Sequence, residues 1–326
     1  MKKILAMLLA VMMLLSVASV AMAEETTYTD QQTVTIKKVY KLANAGTTSP
    51  AETFTLTQVG KGTVTDGEAT SAPDLGTITG ADFAKGAATV DGATGNITVA
   101  LPEYTHVGVY EYTLKEVVGT TAGVTYYGDN ITLKVTVIND TEGNLRIAAV
   151  HAESANNALE AGKTKKDNFP NTYSAGKLNV TKTVEGNLGD KDKYFEFKVT
   201  LTGETGKTYG ASYAVSGGSN ANNPSTIKIG EETTFLLKHG ETISIANLPY
   251  GVTYTVTETA ADGYTTTKTG NTGSINAAEQ TAAFTNKKDG SIDMGVMLDS
   301  MHYVLVLAVV GAAVIALIAK KRRADD

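Results

Sequence analysis

Short runs in which apolar and polar residues alternate recur through most of this chain. They include TVTIKKVY, VYEYTLKEV, ITLKVTVI, KYFEFKVTL and YTVTET, and segments such as VDGATGN and SGGSNANN separate them. β-branched and aromatic residues that alternate between turn signals are typical of antiparallel sheet sandwiches. We therefore predict an all-β fold for residues 24–290.

The two ends of the chain have a different character from the middle. Residues 1–23 combine a basic start, an apolar run and a small-x-small motif, which predicts a secretory signal peptide. Residues 303–319 are uncharged, and a basic tail at 320–326 follows. This order predicts a short transmembrane helix with a cytoplasmic tail. The chain between the ends is expected outside the cell.

Composition excludes several classes of function. The chain has no cysteine, so disulfides, cysteine nucleophiles and thiolate metal sites are ruled out. Its four histidines show no metal-ligand spacing, and no metal or other cofactor is expected. The net charge is −6 with scattered basic residues, which does not indicate binding to nucleic acid.

An internal repeat divides the exterior at residues 174–176, into residues 24–174 and 175–290. Each half opens with a strand that carries a lysine among inward apolar residues. A glutamate then falls on the apolar face of a late strand, and each half closes on Phe-x-Asn. The repeated order comprises Lys38, Glu116 and Asn171 in the first half and Lys182, Glu258 and Asn286 in the second. Lys37 is the rival of Lys38, and alternation with Val34 and Ile36 favours Lys38.

These three residue types can form a covalent crosslink when they meet in an apolar core. Burial disfavours the charged forms of lysine and glutamate, so the amine becomes a nucleophile and the carboxyl keeps its proton. A protonated glutamate can polarise the asparagine carbonyl and pass a proton to the leaving ammonia. The sequence thus predicts a Lys–Asn isopeptide bond in each half, promoted by Glu116 or Glu258. An ordinary solvated surface residue is the alternative at each position.

The motifs VTIKKVY, YEYTLKE and FPN in the first half, and LNVTKTV, LPYGVTYTVTE and FTNKKDG in the second, carry a family resemblance. With them, the chain resembles the Gram-positive major (backbone) pilins of the streptococcal pilin isopeptide-linkage type. The resemblance implies two stacked Ig-like (Cna-B-like) β-sandwich domains. It also implies a Lys38–Asn171 bond promoted by Glu116 and a Lys182–Asn286 bond promoted by Glu258.

The resemblance further implies sortase-catalysed polymerisation. The matching pentapeptide is SIDMG, residues 291–295, with cleavage between Met294 and Gly295. It departs from the usual pattern because Asp293 replaces proline and Met294 replaces threonine. The candidate acceptors for the next subunit are Lys166 first, then Lys165 and Lys163. The implied partners are a sortase, identical subunits, accessory pilins and cell-wall peptidoglycan, at the cell surface.

Three functions are compatible with these features. The first is a shaft subunit of a covalent pilus, which the size of the chain favours. The second is an adhesin or accessory pilin that does not polymerise, which the altered pentapeptide favours. The third is a secreted enzyme, but the sequence has no nucleophile elbow, phosphate loop or metal cluster. We expect a structural protein rather than an enzyme.

Overall fold

The computed structural model describes residues 30–154, 169–291 and 295–322. The first half contains twelve strands: β1 (Thr33–Leu42), β2 (Glu52–Phe54), β3 (Leu56–Gln58), β4 (Thr63–Gly67), β5 (Ile78–Thr79), β6 (Ala81–Phe83), β7 (Ala93–Ala100), β8 (Gly108–Glu116), β9 (Val124–Thr125), β10 (Ile131–Asn139), β11 (Leu145–Ser154) and β12 (Phe169–Tyr173).

The second half contains ten strands and is followed by one helix. They are β13 (Ala175–Glu185), β14 (Phe195–Thr202), β15 (Tyr213–Gly217), β16 (Thr226–Ile227), β17 (Glu232–Leu237), β18 (Thr242–Pro249), β19 (Thr253–Glu258), β20 (Thr265–Thr269), β21 (Thr272–Ser274), β22 (Glu279–Lys287) and α1 (Gly295–Arg322). Up to residue 291 the described chain has strands and no helix, so the prediction of an all-β fold is confirmed there.

Each half places its opening and closing strands side by side. In the first half one sheet has the order β5-β7-β1-β12-β9, and the opposing sheet runs β11-β10-β8-β3 with β4 also on β8. In the second half the two sheets are β16-β15-β18-β13-β22-β20 and β17-β14-β19-β21. The pairs β1–β12 and β13–β22 are both parallel. A parallel pair of first and last strands therefore lies within a sheet of each half.

Alternating side chains fill one core in each half. Along β1, Val34, Ile36, Lys38 and Tyr40 point inward and are buried. Along β13, the buried residues of the alternating part include Leu178, Val180, Lys182 and Val184. Separate buried clusters of apolar side chains occupy the first half and the second half. The two lysines thus lie within the cores rather than at their edges.

The junction between the halves is a single residue, Ser174, between β12 and β13. Hydrogen bonds cross it on several sides. The Asn247 side chain accepts from the Thr48 backbone nitrogen at 2.8 Å and donates to the Thr48 carbonyl at 2.9 Å. Asn44 Nδ2 donates to the Ala175 carbonyl at 2.8 Å. The two halves are therefore tied together beyond their covalent link.

The C-terminal helix α1 covers the segment for which the sequence analysis predicted a membrane span. Across residues 30–154, 169–291 and 295–322, no helix has both the length and the apolar content that a bilayer crossing requires.

Candidate crosslinking sites

The first site joins three strands from both sheets of the first half. In the parallel pair β1–β12, Lys38 lies opposite Phe169 and Tyr40 opposite Asn171. Because residues two apart share a face of a strand, Lys38 and Asn171 both point into the core. Glu116 ends β8, which belongs to the opposing sheet. The carboxyl group therefore meets the lysine and asparagine from across the core.

The three side chains of this first site contact one another and exclude solvent. Lys38 Nζ donates to Asn171 Oδ1 at 2.8 Å and also forms a close ion pair with Glu116 Oε2. Asn171 Nδ2 donates to Glu116 Oε1. Relative exposure is 0% for Lys38, 2% for Glu116 and 0% for Asn171. Lys37, the neighbour on β1, is partly exposed.

The second site repeats this arrangement in the other half. Lys182 lies opposite Phe284 and Val184 opposite Asn286 in the parallel pair β13–β22, so each asparagine faces the residue two positions after the lysine. Glu258 ends β19 in the opposing sheet. Lys182 Nζ donates to Glu258 Oε1 at 2.7 Å, and Asn286 Nδ2 donates to the same oxygen at 2.5 Å.

Two acceptors in the second site lie buried without a hydrogen bond to any described residue, Glu258 Oε2 and Asn286 Oδ1. Buried polar atoms are normally paired, since an unpaired one costs about 1–3 kcal/mol. Among the described residues, the second site therefore holds two unpaired acceptors, whereas the corresponding oxygens of the first site are paired.

The amide orientation differs from the one expected. The sequence analysis predicted that each glutamate would contact the asparagine carbonyl oxygen, but in both sites it contacts the amide nitrogen. The reason is the pairing of donors with acceptors: a carboxylate accepts, so it attracts the amide N–H. Turning the amide by half a turn exchanges its oxygen and nitrogen, which would bring the carbonyl to a protonated glutamate.

Aromatic rings surround both amines. The Nζ of Lys38 lies 5.1 Å from the ring centre of Phe54 and 5.8 Å from that of Tyr127. The Nζ of Lys182 lies 4.1 Å from the ring centre of Phe195. Burial lowers the pKa of both lysines below the ordinary value, and the adjacent glutamate opposes this shift only in part. A lower pKa increases the fraction of neutral, nucleophilic amine.

The arrangement can carry out one reaction that needs no other reactant. A neutral lysine amine attacks the asparagine side-chain carbonyl, the bond from that carbon to the amide nitrogen breaks, and ammonia leaves with a proton supplied through the glutamate. Contact between the two groups supplies the effective concentration. No cluster of His, Asp or Glu residues suited to a metal ion occurs in the described ranges.

Other predicted site residues fall outside the described chain. Lys163, Lys165 and Lys166 lie in the interval 155–168, and Met294 precedes α1, which starts at Gly295. Residues 1–23 also lie outside it.

Sequence reasoning missed the aromatic residues around the amines. Phe195 could have been found, because it alternates with Phe197 on the predicted strand KYFEFKVTL. Tyr127 lies in no alternating run, so the sequence gives no signal for it.

Two family models match the two halves of the chain. Residues 34–174 match the family described as "Spy0128-like isopeptide containing domain". Residues 176–288 match a family described as a domain of unknown function. The two matches meet at the junction around Ser174.

A protein named Pilin from Streptococcus pyogenes serotype M1 is 31% identical over 230 residues, which covers 63% of this chain and 66% of that protein. The pilus tip adhesin Cpa of Streptococcus pyogenes is 33% identical over 120 residues, covering 35% of this chain and 17% of the adhesin. The chain thus spans just under two thirds of the first relative and much less of the second.

The crystal structure of the major pilin from Streptococcus pyogenes is similar in fold. It aligns with a TM-score of 0.52 at 24% identity, over 80% of this chain and 100% of that chain. At this identity the similarity concerns the arrangement of strands alone.

Proposed function

We propose that the chain is a structural subunit of a covalently polymerised cell-surface pilus. The match of residues 34–174 to a Spy0128-like isopeptide containing domain and the similarity to a streptococcal pilin support this proposal. Each half is an Ig-like sandwich domain, welded by its own Lys–Asn isopeptide bond. The repeated buried cluster of lysine, glutamate and asparagine carries this proposal. Buried lysines are rare in proteins. Two of them at equivalent positions, each beside a glutamate and an asparagine, therefore indicate a shared function.

The proposed isopeptide crosslinks suit a protein that bears tension. The Lys38–Asn171 bond would tie the first strand of the first domain to its last, across 133 residues of sequence. Pulling on the chain would then load a covalent bridge instead of the hydrogen bonds of the sheets. By the loop-entropy relation used for disulfides, closing a loop of this size contributes roughly 4–5 kcal/mol of stability.

Polymerisation is the second part of the proposal. A sortase would break the peptide bond between Met294 and Gly295 and join the new carbonyl of Met294 to a lysine amine of the next subunit. Lys166, Lys165 and Lys163 are the candidate acceptors. Signal-peptide cleavage after residue 23 would precede these steps, and the finished fibre would be attached to cell-wall peptidoglycan.

A second candidate is an accessory pilin or adhesin that is attached but does not polymerise. Two observations favour it: the pentapeptide has Asp293 and Met294 where proline and threonine are usual, and one relative is a tip adhesin. In that case the isopeptide bonds would still form, but the chain would occur once per fibre.

A blot of enzymatically released cell-wall material separates the two candidates. A shaft subunit gives a ladder of heavy bands that resists boiling in detergent, whereas one band indicates an accessory role and contradicts the shaft. Lys166, Lys165 and Lys163 are each replaced by arginine, singly and together. The ladder should disappear in every variant that lacks the acceptor lysine. Lys177→Arg, an exposed lysine of the second half, is the matched control and should leave the ladder intact.

A further inference from the structure

Tyr127 lies over the first reaction site but belongs to none of its strands. It follows β9 and precedes β10, in a stretch without regular structure. Its ring centre is 5.8 Å from Lys38 Nζ and 5.3 Å from the ring of Phe169, against which it packs edge-on. Only 7% of the residue is exposed. The ring therefore separates the lysine amine from solvent on this side.

A hydrogen bond fixes Tyr127 to the neighbouring sheet. Its hydroxyl bonds to Oγ of Ser154, the last residue of β11. Ser154 is 1% exposed, and its backbone position is set by pairing with Ile131 on β10. A loop residue is thereby anchored to a strand through its side chain.

The two sites differ in where their rings lie. At the first site Phe54 on β2 is closest to the amine, at 5.1 Å, and Tyr127 is the ring that lies on a loop. At the second site the ring closest to the amine is Phe195, at 4.1 Å from Lys182 Nζ. Phe195 belongs to β14 and is paired with Leu237 on β17, so backbone hydrogen bonds of the sheet hold it in place. A ring on a strand needs no hydroxyl, whereas a ring on a loop does.

We propose that Tyr127 is a positioning residue for the Lys38–Asn171 condensation, held over the amine by Ser154 so that water stays away from it. This inference rests on the proposed function. Water that reached Nζ would hydrate and stabilise the ammonium form, which cannot attack the amide. Glu116 faces the same amine from β8. The negative charges of Asp129 and Glu116 both disfavour ionisation of the Tyr127 hydroxyl.

The experiment compares both condensations within one molecule. The intact chain is collected unfolded from inclusion bodies, refolded by dilution and quenched at intervals. Peptide mapping then measures the Lys38–Asn171 and Lys182–Asn286 crosslinks separately. Ser154→Ala and Tyr127→Phe remove the anchor, and Tyr127→Ala removes the ring as well. Tyr126→Phe, which loses a hydroxyl bound to Glu52 at 3.2 Å, is the matched control.

We expect loss of the anchor to slow the Lys38–Asn171 crosslink about fivefold, as for one hydrogen bond of typical strength, and loss of the ring to slow it further. The Lys182–Asn286 crosslink should form at an unchanged rate. The pH at which the first condensation is half-maximal should also move upward, because a wetter amine has a higher pKa.

Four results would overturn the inference, and the last of them would also overturn the proposed function. Equal rates in the unaltered chain and all Tyr127 and Ser154 variants would show that the ring has no role. A variant that slows both crosslinks equally acts on folding instead. An unchanged pH profile would exclude an effect on amine hydration. If the unaltered chain forms neither crosslink, the proposed function fails and this inference with it.

Discussion

At the scale of single residues, burial distinguishes Lys38 and Lys182 from Lys177. Lys177, Glu279 and Asn179 provide an internal comparison, because Lys177 Nζ lies 3.0 Å from Glu279 and Asn179 Nδ2 lies 2.5 Å from the same carboxyl group. The three residue types match those of the two sites, but the side chains of Lys177 and Glu279 are 45% and 51% exposed. No apolar core excludes water from these side chains, so we expect no condensation there.

The lowered pKa of Lys38 and Lys182 predicts how condensation depends on pH. Only the neutral amine attacks, so the rate of both crosslinks during refolding should rise with pH and level off below the ordinary lysine value of about 10.4. Peptide mapping of quenched samples measures this. A rate that still increases in proportion to hydroxide above that value would contradict a lowered pKa.

The same shift sets the sign of a stability effect in chains that cannot crosslink. At a pH between the lysine pKa of the folded state and that of the unfolded state, each buried lysine binds fewer protons in the folded state than in the unfolded state. The free energy of unfolding of the double variant Asn171→Ala/Asn286→Ala should therefore increase as pH rises through that interval. The crosslinked chain lacks both ionisable amines and should not show this gain.

Alternation and repetition were enough to predict the six residues that the structure brings together. Lys38 and Lys182 stood out because each occupied an inward position between apolar neighbours, twice in the same order. The choice between Lys37 and Lys38 followed from alternation along one strand. The hydrogen-bond pattern within each site was not predictable, since it depends on amide rotation and proton position rather than on sequence spacing.

At the scale of secondary structure, the parallel contact of first and last strands is the basis of both sites. β1 lies beside β12 and β13 beside β22, with the asparagine of each closing strand opposite the residue two after the lysine. The glutamate comes from the other sheet in both halves. A crosslink at this position closes nearly a whole domain into one loop.

Removing one crosslink should reduce stability in that half alone. With Asn286→Ala, we expect the thermal unfolding midpoint of the second half to fall by at least about 10 °C, given a loop contribution of roughly 4–5 kcal/mol. Scanning calorimetry measures the change. Asn179→Ala, in an exposed cluster on the same strand as Lys182, is the control. Equal midpoints for Asn286→Ala and the unaltered chain would contradict a welded domain.

The long strands were predictable and the short ones were not. β1, β8, β10, β13 and β14 coincide with alternating runs in the sequence. β5, β9 and β16 have two residues each, which is too few to show a period. Loop residues such as Tyr127 have no periodic signal either, and their position depends on contacts between distant strands.

At the scale of the whole molecule, the two halves are joined by more than the chain. Asn247 has a positive φ of 59° and makes two hydrogen bonds to the backbone of Thr48. Thr208 continues the contact, because its nitrogen donates to the Thr120 carbonyl at 2.8 Å and its carbonyl accepts from Ala122 at 3.0 Å. The sequence predicted the boundary at residues 174–176, but the residues of this contact were not predictable because they are distant in sequence.

Loosening this junction should change the orientation of the halves without changing their crosslinks. Asn247→Gly keeps the positive φ at no steric cost and removes both hydrogen bonds, worth about 1–2 kcal/mol together. Small-angle X-ray scattering should show a broader distribution of maximum dimensions. Asn222→Gly, at an exposed loop residue, should leave the scattering unchanged. Identical scattering from the unaltered chain and Asn247→Gly would contradict a junction held by the two hydrogen bonds between Asn247 and Thr48.

The central claim is that buried lysine amines condense with neighbouring asparagine amides, and intact-protein mass spectrometry tests it most directly. We predict that the folded chain weighs less than its sequence by two molecules of ammonia. Glu116→Ala and Glu258→Ala should each restore one, and the exposed control Glu279→Ala should restore none. A folded chain at its full uncondensed mass, with both lysine side chains free on peptide mapping, would contradict the account.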